Sequence, residues 1–176
     1  SKDLPEIVAL LEKAGEYGFC GVSIAEQYGG MDLDFNTGVL FAEANAQGFS
    51  FATTLGCQTS IGSLPIVFYG DEEQKAKYLP GIASGQLKAS YCLTEPGAGS
   101  DANSGKTTAV LTEDGKSYVI NGQKMWITNG GFADVFIVFA KIDNDKNLSA
   151  FIVEKSYPGL STVSYTHLRA HETFAN

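Results

Sequence analysis

Positive charge is scarce in this 176-residue chain: Lys and Arg together number 12 against 20 Asp and Glu, leaving a formal charge of −8. Arg169 is the single arginine. Binding a nucleic-acid backbone needs clustered Lys and Arg, so the missing basic stripe excludes that class of partner. Cysteine is also sparse. Cys20, Cys57 and Cys92 are scattered, odd in number and without CxxC spacing, which excludes a disulfide framework and a zinc site; they read as small thiols of a core. No run approaches the roughly 18 apolar residues of a membrane span, and SKDLPEIVALLEKAGEYGF lacks the basic-then-apolar layout of a signal peptide. A soluble intracellular protein is expected. The chain also begins without Met, so a missing natural N-terminus is expected as well.

What is present suffices for a real core, since 44% of residues are apolar. The first half reads as helix. Ser1 or Asp3 can cap a helix with Pro5 in its first turn, Ile7, Leu10, Leu11 and Ala14 share a face, and Gly15 or Gly18 can close it. A second helix is predicted over about 37–46 and a third over about 52–69, stopped by Gly70. Asp71 followed by Gln74 forms a capping-box pattern opening EEQKAKYL, which Pro80 is expected to end.

From about Ala89 the pattern changes to short runs rich in β-branched and aromatic residues: ASYCL, TTAVL, SYVI, MWIT, DVFIVFA and LSAFIVE. Glu113-Asp114-Gly115 and Asn121-Gly122 suit tight hairpins. The predicted class is α+β: an all-helical domain over 1–88, then an antiparallel β-sandwich or barrel domain over 89–162. The segment 163–176 differs in composition, holding the only Arg and both histidines, and shows neither strand alternation nor a helix face. It reads as a non-family, adventitious tail. His167 and His171 sit four apart but lack the acidic partner motif of a metal site, so no metal is expected.

Two loops carry the chemistry. In Tyr91-Cys92-Leu93-Thr94-Glu95-Pro96-Gly97-Ala98-Gly99-Ser100-Asp101 a strand runs into Pro and glycines, so the backbone leaves the sheet abruptly and can approach a flat ligand. In Asn121-Gly122-Gln123-Lys124-Met125-Trp126-Ile127-Thr128-Asn129-Gly130-Gly131 alternation places Trp126 and Thr128 on one face, a large ring beside a hydroxyl. Gly99 to Thr107 imitates a phosphate-binding loop but fails twice: five residues separate Gly99 and Gly105 instead of four, and a strand follows where a helix is required.

YCLTEPGAGSD followed by NGQKMWITNGG resembles the acyl-CoA dehydrogenase family, and the resemblance extends over about residues 4–161 through GVSIAEQYGGMDLDF and FYGDEEQKAKYLPGIASGQLKASYCLTEPG. GGFADVFIVFAK with LSAFIVEK looks nearest the long- and very-long-chain branch. The resemblance implies an N-terminal helical domain and a middle β domain lying against FAD, with a C-terminal helical bundle that this chain lacks. It implies that Tyr91, Cys92, Leu93, Thr94, Gly99 and Ser100 line the flavin, with Ser100 also touching acyl-CoA. Trp126, Ile127 and Thr128 complete the site, Trp126 beside the ring and Thr128 toward N5. The family's base is a Glu of the missing bundle; Glu95, before Pro96, suits a turn and not that role. The implied reaction is αβ-dehydrogenation of a thioester with electrons passed to an electron-transferring flavoprotein, by a homo-oligomer of the bacterial cytoplasm or mitochondrial matrix. The stretch alone is expected to be inactive. An acyl-CoA oxidase and a non-catalytic flavin- or acyl-CoA-binding module are the alternatives.

Overall fold

The computed structural model describes residues 4–143, 145–163 and 167–175, with side chains described as far as Thr162. Ser1 and Asp3, the expected caps, lie outside the described residues, as do the side chains of His167 and His171. The chain divides into two compact units, residues 1–89 and 90–176. No helix among the described residues is long and apolar enough to cross a membrane.

The first unit is helical. α1 (Leu4–Glu16) buries Leu11 and Ala14, whereas Leu10 stays half exposed, so the apolar face is narrower than the sequence suggests. Gly15 falls inside α1 instead of closing it, and glycine is required there by close packing, since a Cβ would stand 2.1 Å from the Ser84 carbonyl oxygen. Gly18, at φ 80°, makes the reversal. α2 (Phe35–Asn45) is capped by Asp34, whose carboxylate accepts the Asn36 and Thr37 N–H groups at 2.9 and 3.1 Å.

The predicted helix over 52–69 is two: α3 (Ser50–Thr59) and α4 (Leu64–Tyr69). Pro65 sits in the first turn of α4, where its missing N–H costs nothing, and Gly62 is pressed against the Cys57 carbonyl and Ala89. α5 (Glu72–Ala83) opens on the expected capping box: Asp71 accepts from Gln74 N at 2.8 Å and Gln74 Oε1 from Asp71 N at 3.1 Å. The helix runs through Pro80 instead of stopping before it, because the next turn carries Ile82 and Ala83 into the core. An apolar cavity of about 300 Å³ lies between α2 and α3, lined among others by Val22, Phe35, Gly38, Val39, Leu55 and Gly56.

The second unit is a curled, mostly antiparallel seven-stranded sheet, ordered β1 (Ala89–Cys92), β4 (Val135–Ile142), β2 (Thr108–Leu111), β3 (Tyr118–Met125), β7 (His167–Ala175), β6 (Leu160–Val163), with β5 (Ser149–Glu154) also on β4. The Glu113–Gly115 hairpin forms between β2 and β3, with Gly115 at φ 68°. Asn121-Gly122 makes no hairpin. SYVI and the start of MWIT are one strand, paired at that point with β2 and β7, and Gly122 is needed because the Thr107 hydroxyl would lie 2.3 Å from a Cβ there. The pairing of β2 with β4 is parallel. Phe136, Val138, Ala140, Phe151, Val153, Ala109, Ile120 and Ile127 form the core under the sheet. The 167–175 backbone, read from sequence as part of an adventitious tail without strand alternation, runs antiparallel to β3 and β6.

Candidate functional site

Hydrogen bonds from the two sequence-predicted segments, and from Ser90 just before the first, bring them together within the β unit. Met125 N donates to Thr94 O at 2.9 Å, Lys124 Nζ to Leu93 O at 3.1 Å, and Ser90 Oγ to Thr128 O at 2.6 Å. Leaving β1, the chain makes a two-residue reversal at Pro96-Gly97, closed by reciprocal bonds between Glu95 and Ala98 at 3.0 and 3.1 Å. A Cβ at Gly97 or Gly99 would meet nothing within 4 Å, so these glycines border open space.

β3 ends at Met125. Trp126 therefore lies beyond the strand, at φ 60°, a conformation that a bulky L-residue rarely adopts, and Asn129 follows at φ 64°. The alternation expected for MWIT is achieved by the turn instead: Trp126 is 67% exposed, Ile127 is in the core and Thr128 is half-buried. The predicted residues thus differ in what they present. Trp126, Thr94, Thr128, Leu93 and the exposed Gly99 and Ser100 have accessible surface. The side chains of Cys92 and Ile127 face the hydrophobic core, and their offering to a ligand is backbone. Tyr91 packs against Phe139 with ring centroids 4.9 Å apart and the planes tilted by 60°, and burial raises its pKa.

Sequence reasoning missed the group that joins these segments. Lys124, 2% exposed, donates to Glu95 Oε1 at 2.8 Å, and Glu95, 7% exposed, also accepts from Lys106 N at 2.6 Å and Thr107 N at 3.1 Å. Burial works to raise the Glu95 pKa, but hydrogen bonds from Lys124, Thr107 and Lys106, with the Lys124 charge, outweigh it and hold the carboxyl below its usual range. Burial lowers the Lys124 pKa, and Glu95 only partly offsets this. A carboxylate so held is a poor proton acceptor, which agrees with the reading of Glu95 as a turn residue. The site offers an exposed aromatic ring, two threonine hydroxyls and a strongly bent backbone, a set suited to a flat heteroaromatic ligand.

Residues 2–86 match the model of the acyl-CoA dehydrogenase N-terminal domain and residues 90–173 that of the acyl-CoA dehydrogenase middle domain. The chain belongs to the acyl-CoA dehydrogenase family. A probable acyl-CoA dehydrogenase of Bacillus subtilis (strain 168) is 58% identical over 155 residues, 88% of this chain and 26% of that protein. The very long-chain specific mitochondrial acyl-CoA dehydrogenase of Rattus norvegicus is 40% identical over 160 residues, 86% of this chain and 24% of that protein. A crystal structure of an acyl-CoA dehydrogenase complexed with FAD from Bacillus anthracis superposes with a TM-score of 0.95 at 48% identity, over 99% of this chain and 32% of that one. The chain spans about a quarter of the length of these two curated relatives.

Within the acyl-CoA dehydrogenase family frame, the expected architecture stands: a helical part followed by a curled β half-barrel. The middle-domain match extends through most of the segment read as an adventitious tail.

Proposed function

We propose that this chain supplies the helical and flavin-holding β portions of an FAD-dependent enzyme that αβ-dehydrogenates fatty acyl-CoA thioesters. The observation that carries the reading is the pairing of the two segments, which puts exposed Trp126 and the half-buried Thr94 and Thr128 on one locally cross-linked piece of the β unit. These residues fit a flavin: an aromatic face, neutral hydroxyl donors and glycines bordering open space. FAD, when bound, supplies the hydride acceptor.

Trp126 would pack beside the ring system and exclude water from it, and Leu93 would cover part of it. Thr94 and Thr128, neutral donors, would stabilise negative charge on the reduced ring without removing its reactivity. Tyr91, Cys92 and Ile127 shape this wall, largely from behind. Gly99 and Ser100 are the exposed end of the first loop, and Ser100 would also touch acyl-CoA. Glu95 is committed to Lys124 and two backbone N–H groups. The α-proton would therefore pass to a carboxylate outside these two segments, and electrons onward to an electron-transferring flavoprotein.

The test joins residues 4–162 to everything that follows the matching stretch in a family member, so that the rest of its middle domain supplies the strand that pairs with β3 and β6 and its C-terminal domain completes the protein. The fusion is expected to bind FAD and to bleach on addition of an acyl-CoA. A folded, flavin-loaded fusion that ignored acyl-CoA of every chain length would overturn the substrate assignment. Fast reoxidation of the reduced fusion by oxygen would make it an oxidase.

A further inference from the structure

We propose that Lys124 and Glu95 are positioning residues that set the distance and orientation between the two halves of the flavin site; the inference rests on the flavin reading above. Two consecutive residues of β3 grip two consecutive carbonyls of the first loop. Lys124 Nζ holds Leu93 O at 3.1 Å, and Met125 N holds Thr94 O at 2.9 Å. The chain then turns at once into Trp126 at φ 60°. The placement of the Trp126 ring relative to Leu93 and Thr94 is therefore decided within two residues.

Glu95 extends the same clamp to a third strand. Its carboxylate accepts Lys124 Nζ, Lys106 N and Thr107 N, tying the Pro96-Gly97 reversal to the entry of β2. A Cβ on Gly105 would stand 3.0 Å from Glu95 Oε1, so the backbone here leaves room for that oxygen. Stability alone gives little reason for this arrangement. Removing both charges from water is costly, and apolar replacement of a buried pair is often neutral or stabilising. What an apolar pair cannot supply is direction. A Lys head with two fixed acceptors and a carboxylate with three fixed donors are satisfied together in one placement of the three strands.

The experiment places residues 4–162 in the matching stretch of the 58%-identical Bacillus subtilis relative and compares the parent with Glu95→Gln and with the double variant Lys124→Met/Glu95→Gln. Three quantities are read: the melting midpoint, the FAD dissociation constant, and the visible absorption and fluorescence of the flavin at saturating FAD well below melting. Both variants are expected to bind FAD about tenfold or more weakly, the loss that one or two misplaced hydrogen bonds produce. Their flavin spectra at saturation are expected to move toward that of free FAD, which a purely structural pair would leave unchanged. Dissociation constants within twofold of the parent and an unaltered spectrum would overturn the proposal. If the double variant does not fold, the near-isosteric Glu95→Gln decides.

If the parent itself takes up no FAD, the flavin reading fails, and amide exchange in the ligand-free 176-residue chain judges the clamp by itself. Glu95→Gln is expected to speed exchange at the Met125 amide more than at the Val135–Ile142 amides of β4. Equal acceleration at both would reduce the pair to a general stabiliser and sink the positioning role.

Discussion

Gln58 Oε1 accepts the Ala89 N–H at 2.7 Å, while Gln58 Nε2 donates to Leu87 O at 2.7 Å and Ile82 O at 3.1 Å. One fully buried amide thus ties α3 to the end of α5 and to the stretch that follows it as far as Ala89, all within the first unit. Gln58→Leu keeps the volume but removes all three bonds from a side chain that is closed off from solvent. The expected cost is about 3 kcal/mol, with a fall in melting midpoint of roughly 6–12 °C for a chain of this size, read by thermal unfolding. A loss near zero would mean that the backbone groups find other partners.

Acid should act through Glu95. Its pKa is lowered in the folded state, so the unfolded chain binds the proton more tightly there. The stabilisation is complete above the ordinary carboxylate value of about 4.3 and is lost as pH falls below it through the folded value. The gap in melting midpoint between parent and Glu95→Gln should therefore stay constant from about pH 7 to pH 5 and close below about pH 4. A gap independent of pH down to full acid unfolding would show that this carboxylate is not the titrating group.

The two units and their order were legible in the sequence because each rests on local signals: the Asp71–Gln74 box, the change from helical to strand-like runs, the Glu113–Gly115 turn. What failed to show was decided by distant partners. Nothing local marks Lys124 as buried, since its acceptors Leu93 and Glu95 lie 31 and 29 residues away. Asn121-Gly122 looked like a hairpin because the side chain that requires glycine at 122 belongs to the distant Thr107, just before β2. Pro80 looked like a stop because the burial of Ile82 that carries α5 past it is a tertiary fact. The 163–176 segment was read from composition, whereas pairing with β3 is a backbone property that composition does not forbid. Resequencing the source DNA across codons 155–176 tests whether that segment is native.

Gly38 in α2 and Gly56 in α3 line the apolar cavity, and a Cβ on either would meet nothing within 4 Å. Both sit inside helices, where glycine costs about 0.5–1 kcal/mol relative to alanine. Gly56→Ala and Gly38→Ala should each stabilise the helical unit by about that amount, because neither creates a clash. Denaturant melts followed by helical circular dichroism would show this as a higher midpoint at unchanged slope. Destabilisation by either change would mean that the cavity closes in solution.

Trp126 separates fold from function most cleanly. At φ 60° and 67% exposed, it pays backbone strain for a position that buries little of its ring. Glycine adopts this φ freely, so Trp126→Gly should relieve about 1–2 kcal/mol of strain. It also removes the aromatic wall proposed for the flavin. The expected result in the C-terminal-domain fusion is a melting midpoint equal to or above the parent's when FAD is absent, with FAD binding weakened at least tenfold. Thr128→Val, which leaves the ring but removes a hydroxyl donor, should bind FAD nearly as well and be reduced by acyl-CoA about tenfold more slowly, the value of one lost hydrogen bond in the transition state. Stopped-flow bleaching reads the second effect and FAD titration the first. If Trp126→Gly instead lowers the melting midpoint and spares FAD binding, the ring belongs to the fold, and the strained turn needs another explanation.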